Sequence, residues 1–250
     1  MDLPYQILFI LNFLVCFLLM KATSWFVTPP HKRPAFLTFA FGSPYLSPRS
    51  LRIASPPPRA SHLVMFLLYG AITFAIVKGV AVYLSPISYA DRILLGVAVY
   101  FLTETIGSLG QTLFFWRKEN TYSIHFRPLT SPSLSQFWGR RWNLWVQEWI
   151  TDVARPFHRK HKQKLIASFF FSGLFHEAMI NFPHWAYTGE SYFGTMLAYF
   201  LIQGAGLYVD KKYLRSAEPL VRRVFCWLVI MLPSPLFIHV PLLKFFGMTE

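Results

Sequence analysis

Three stretches of the chain run without a single Lys, Arg, Asp or Glu: residues 3–20, 191–209 and 224–243, which are 18, 19 and 20 residues long. A helix needs about 20 apolar residues to cross a hydrocarbon core, so the patterning predicts membrane-spanning helices. Extending these runs and adding the other apolar segments predicts six spans, at 3–26, 62–84, 93–116, 165–183, 191–209 and 224–243, the last kinked by Pro233 and Pro235. Between the third and fourth, residues 134–150 place Phe137, Trp138, Arg141, Trp142, Trp145 and Trp149 at mixed three- and four-residue spacings. That pattern suits an aromatic helix lying in the interface, with Ser133 or Ser135 as its cap. The expectation is a single all-α, polytopic membrane domain over residues 1–250.

Composition strengthens this reading. With 54% hydrophobic and 14% charged residues, the chain is too apolar for an ordinary soluble domain. Its net charge of +13 does not point to nucleic acid, because the cations fall in loops between apolar segments. Loops 27–60, 117–164 and 210–223 are basic, whereas 85–92 and 184–190 are nearly uncharged. Six alternating spans put every basic loop on the cytosolic face, as the positive-inside rule requires, and both termini on the other. The first segment lacks a basic leader and a small-residue cleavage pattern, and so reads as a retained helix. Cys16 and Cys226 lie in apolar runs and suggest buried thiols.

Against this background the ionisable residues inside apolar segments need a reason, since burying them unpaired costs several kcal/mol. Lys78 is near enough to a helix end to snorkel. Glu104 sits halfway along the third span, either bonded between helices or lining a polar cavity. His176 falls twelve residues after Lys164, roughly 18 Å into its helix. A neutral imidazole at that depth can take a proton from an alcohol, or it can be a hydrogen-bonded packing histidine; position alone leaves both open. His176-Glu177-Ala178-Met179-Ile180 lacks the second histidine of a zinc-protease helix. Ser172 lies one turn before His176 without a nucleophile elbow, and so reads as a hydrogen-bond partner of His176 or the backbone. Asn143 supplies an amide that donates or accepts at any pH. Arg140, Arg141, Arg155, Arg159, Lys160, Lys162 and Lys164 form a cationic entrance suited to topology, anionic lipid or a phosphorylated substrate.

Phe137-Trp138-Gly139-Arg140-Arg141-Trp142-Asn143, followed by Ser172-Gly173-Leu174-Phe175-His176-Glu177, resembles the paired signature of the wax synthase-like branch of membrane-bound O-acyltransferases. The resemblance implies an acyl-CoA donor, a hydroxyl acceptor, His176 as the catalytic histidine and Asn143 as a second active-site residue. Trp138, Arg140, Arg141, Trp142, Ser172 and Glu177 are then candidate substrate contacts. No metal or resident cofactor is expected; acyl-CoA, acetyl-CoA first, is a co-substrate. Fungal members of this branch often acetylate terpenoid or meroterpenoid alcohols, and plant members make wax esters. The resemblance further implies an endoplasmic reticulum location, and a longer N-terminal half than this chain has. Long-chain wax or sterol ester synthesis is the rival chemistry, and a transporter or non-catalytic scaffold the rival class.

Overall fold

Pro4 precedes α1 (Tyr5–Val27), whose interior has neither Gly nor Pro, and the helix ends where Thr28 turns extended before Pro29. The α conformation is disfavoured immediately before proline. The computed structural model describes residues 4–48, 59–83, 87–113, 122–154 and 161–248. After α1 come α2 (Phe36–Gly42), α3 (Arg59–Tyr83), α4 (Tyr89–Leu113), α5 (Leu134–Gln136), α6 (Leu144–Ala154), α7 (His161–His176), α8 (Phe182–Thr188), α9 (Thr195–Tyr213), α10 (Pro219–Met231), α11 (Ser234–Phe237) and α12 (Val240–Phe245). No strand occurs among the described residues. Arg49, Arg52, Arg155, Arg159 and Lys160 of the basic loops lie outside the described residues, as do the side chains of Lys162 and Lys164.

Four helical segments are long and apolar enough to cross a membrane: Tyr5–Val27, Ser61–Val82, Tyr89–Leu113 and Pro219–Phe237. Their outward faces are greasy, with Val15, Leu19, Leu67, Phe74 and Leu232 all exposed. Such a surface requires lipid rather than water around it. The fourth and fifth expected spans are helical but do not join these four. α7 opens on a run of His and Lys residues, and α9 ends in Asp210, Lys211 and Lys212.

The sixth expected span is not one helix. Pro233, Pro235 and Pro241 each remove a backbone donor, and the chain breaks into α10, α11 and α12. The expected aromatic helix over 134–150 is also interrupted, at Trp142-Asn143. Asn143 there adopts a positive φ of 39°, which the side chain of Asn tolerates better than most.

Packing places α3 against α4, and α7 against α9. The second pair approaches closely because Gly173 carries no side chain: a Cβ there would sit 2.9 Å from the Leu197 Cα. Small residues allow such contacts between helices in a bilayer. A buried aromatic core of Phe137, Phe169, Tyr199 and Phe200 lies between α5, α7, α9 and α10. A second core of Met20, Tyr45, Ile124, Trp145 and Trp149 ties α6 to α1.

Candidate active site

One π-helical turn, Phe137–Arg141, lies within the first signature segment, and another, Glu177–Asn181, begins at the last residue of the second, immediately after His176. Wider turns of this kind re-aim side chains and recur at functional sites. Because the helix continues from α7 through this turn into α8, His176 belongs to a rigid element rather than a loop.

His176 Nδ1 lies 2.7 Å from the backbone carbonyl of Ser172. A carbonyl can only accept, so Nδ1 carries the proton and, in the neutral ring, Nε2 carries the lone pair. Nε2 makes no hydrogen bond to the described residues, and the ring is only half-buried. Phe200 of α9 packs over it with centroids 4.3 Å apart, and Phe237 of α11 lies at 6.2 Å. Ser172 therefore acts through its main chain, not its hydroxyl. The arrangement can accept one proton at a fixed position within an apolar wall.

Asn143 starts α6. Its Oδ1 accepts from Val146 N at 3.2 Å and its carbonyl from Gln147 N at 3.0 Å, which together cap the helix. The cap fixes the amide and leaves the Nδ2 hydrogens without a partner among the described residues. Trp138 and Trp149 bracket Asn143 in sequence and touch Phe169 and Phe175 of α7, at 5.5 Å in each case. The segments on either side of Asn143 are thus packed against α7, the helix that ends at His176.

Trp138 and Trp142 build the partition between these segments. Trp138 Nε1 donates to Gln203 Oε1 at 3.2 Å, and Gln203 Nε2 donates to Val229 O at 2.7 Å, joining the π turn to α9 and α10. Trp142 stacks on Phe137 at 5.3 Å. Arg141 turns away and braces the preceding loop, donating to Arg127 O and Thr130 Oγ1 at 3.0 Å each.

Glu177, a candidate substrate contact by sequence, is occupied otherwise. Its Oε1 accepts from Gly194 N and Leu197 N, both at 2.9 Å, at the start of α9. Its Oε2 accepts from Asn181 Nδ2 at 2.5 Å. Asn181 continues to His239 Nε2 at 2.6 Å, so the residue after the histidine anchors α9 and the α11–α12 corner to α7. Sequence reasoning missed this network because its two backbone donors lie 17 and 20 residues away, at the start of α9.

Arg140 lines an open cleft of about 580 Å³ together with Lys211, Arg215 and Arg222, beside the hydroxyl-bearing Ser133 and Ser135. Buried Asp210 holds this corner by accepting from Ser135 N at 2.9 Å and from Arg222 at 3.2 Å. The cleft keeps an excess of positive charge after that pair is counted, which suits phosphate groups. Lys211 lies in the last turn of α9, Arg215 follows that helix and Arg222 is in the first turns of α10; by sequence the stretch 210–223 that holds them is assigned only to topology.

Residues 123–202 match the pattern of the membrane bound O-acyl transferase family. That stretch includes both signature segments, Asn143 and His176. No curated protein matches the chain. Family match and apolar helices together support a membrane-bound O-acyltransferase.

Proposed function

We propose that this protein transfers an acyl group, acetyl in the first instance, from acyl-CoA to the hydroxyl of a hydrophobic alcohol such as a terpenoid or meroterpenoid of secondary metabolism. The observation that carries the reading is the fixed tautomer of His176: the Ser172 carbonyl holds the Nδ1 proton, and Nε2 remains an unoccupied base. In the reaction the alcohol proton passes to Nε2 as the alcohol oxygen bonds to the thioester carbonyl carbon. Collapse of that adduct breaks the C–S bond, and the leaving thiolate takes the proton back from the imidazolium as CoA thiol. Asn143 Nδ2, held by its helix cap, donates to the oxygen that gains charge in between.

The cationic cleft of Arg140, Lys211, Arg215 and Arg222 supports a water-soluble, phosphorylated donor entering from the cytosolic side. The apolar surroundings of His176 support a greasy acceptor and limit thioester hydrolysis. Six spans with basic loops facing the cytosol, in the endoplasmic reticulum, complete the proposal. Microsomes bearing the wild type or His176→Ala are given labelled acetyl-CoA or palmitoyl-CoA with a panel of alcohols. The wild type should esterify and the variant should be slower by about 10² to 10⁴. Equal rates would remove His176 from the mechanism, and no product from either protein with any alcohol would overturn the enzyme reading in favour of a scaffold.

A further inference from the structure

Glu104 is buried in α4 and His125 is buried in the loop before α5. His125 Nδ1 lies 3.1 Å from Glu104 Oε1, while His125 Nε2 is buried with no hydrogen-bond partner. Buried polar atoms are nearly always paired, so an orphan nitrogen marks a missing group. Its surroundings describe that group. His125 sits edge-on to Trp142 at 4.5 Å and to Tyr100 at 5.2 Å, in an aromatic box. With the carboxylate accepting from Nδ1 of a neutral ring, Nε2 must accept from its missing partner; with an imidazolium, or with the carboxyl protonated and donating, Nε2 must donate. A hydroxyl satisfies both cases, whereas a carbonyl or an ether satisfies only the second and an apolar group neither.

Position ties the box to the site. Leu144 N donates to Ile124 O at 2.7 Å and Phe126 N donates to Arg141 O at 2.8 Å, so His125 is held directly across from Trp142-Asn143. A second unpartnered buried atom, Gln111 Nε2, lies seven residues from Glu104 on α4, two turns along the same face. The stacked Trp142 and Phe137 rings stand between this box and Trp227 of α10, and none of Tyr100, Glu104, His125 and Trp142 lines the cationic cleft. That separation favours the acceptor over the donor as occupant.

We infer that Glu104 and His125 form a second polar site, which receives a hydroxyl group of the apolar acceptor other than the one being acylated. The inference rests on the acyltransferase reading and makes the preferred substrate an apolar molecule with at least two hydroxyls, one at His176 and one at His125. Glu104 is the positioning residue, fixing the ring through Nδ1, and His125 makes the contact.

The test uses the full chain in nanodiscs and a series of α,ω-alkanediols of about 6 to 16 carbons against the matching monoalcohols, a length range that covers helix-to-helix spans. Binding is read without turnover from the shift in melting temperature across ligand titrations. The wild type should bind the best diol about tenfold more tightly than its monoalcohol, the worth of one hydrogen bond to an otherwise orphaned group. His125→Phe keeps a ring against Trp142 and Tyr100 but has no Nε2, and His125→Leu removes the ring; either should bring the ratio to about one. His125→Gln returns an acceptor and should recover part of it. A wild-type ratio near one, as when water fills the position, or a ratio unchanged in both His125 variants, would overturn the inference. So would a His125 variant whose only change is a raised KM for acetyl-CoA. Acetylation of the same alcohols is followed in parallel. Diol preference without any product would sink the acyltransferase reading and leave the hydroxyl site standing, whereas product without diol preference would sink the site alone.

Discussion

Glu177→Gln separates an anchoring role from substrate contact most cleanly. The carboxylate serves three donors: the backbone N–H groups of Gly194 and Leu197 and the side chain of Asn181. An amide retains one accepting oxygen. If that oxygen stays on the α9 amides, the new NH₂ faces Asn181 Nδ2, which already donates to Tyr192 O and Thr195 Oγ1 and cannot reverse without losing them. One hydrogen bond to a charged acceptor, about 1.5–3 kcal/mol, becomes a clash of donors. The start of α9 also loses a negative charge, worth about 0.3–1 kcal/mol there.

The sum is about 2–4 kcal/mol, and a domain of this size loses roughly 2–4 °C of melting temperature per kcal/mol. Purified Glu177→Gln should therefore melt about 10 °C below the wild type by circular dichroism or fluorescence-detected aggregation, with KM for both substrates unchanged in the surviving fraction. Glu177→Ala strands all three donors and should be worse. A Glu177→Gln protein that melts with the wild type but shows a raised KM would refute the anchoring account and return the side chain to the substrate.

Asn143→Asp keeps the oxygen that caps α6 but lacks the Nδ2 donor, so melting should barely move while kcat falls by about 10² to 10³; an unchanged kcat would remove Asn143 from the chemistry. Gly173→Ala drives a methyl into the Leu197 backbone, with a Cβ contact of 2.9 Å, and should cost about 1–3 kcal/mol by melting as α7 and α9 are pushed apart. Lys21 is buried, with Nζ donating to the carbonyls of Phe39, Ala40 and Ser43 at the end of α2. Lys21→Met leaves those acceptors unpaired and should cost about 2–4 kcal/mol, seen as earlier proteolysis of the α1–α2 region.

Much of the helical framework was legible because its signals are local. α1, α3 and α4 begin and end within a few residues of the limits expected from uncharged runs and prolines. Both signature segments fall within the stretch that matches the family pattern. What failed was whatever depends on a partner far along the chain. Nothing near Glu177 announces that its oxygens belong to the first turn of α9, and nothing near Arg140 announces Lys211, Arg215 and Arg222. The break at Trp142-Asn143 needed a positive φ that asparagine permits but does not impose. The division of the last span was foreseeable in part: Pro233 and Pro235 signalled a kink, and Pro241 added a further stop.

The buried polar groups of the second half divide by what they do with their lone pairs and protons. His239 engages both ring nitrogens, with Phe237 O at 3.1 Å on one side and Asn181 and Thr195 on the other, and Glu177 fills both of its oxygens. Such closed networks hold helices together and leave nothing for a ligand. His176 and His125 differ in the same way: each has Nδ1 fixed by the protein, on a carbonyl or a carboxylate, and Nε2 without a partner. The two rings are linked by contacts through Trp142, Trp138 and Phe200, with successive centroids between 4.3 and 6.3 Å apart. Two oriented nitrogens, His176 Nε2 and His125 Nε2, thus lie at the two ends of one chain of aromatic contacts, the positions at which the proposed acceptor would place its hydroxyls.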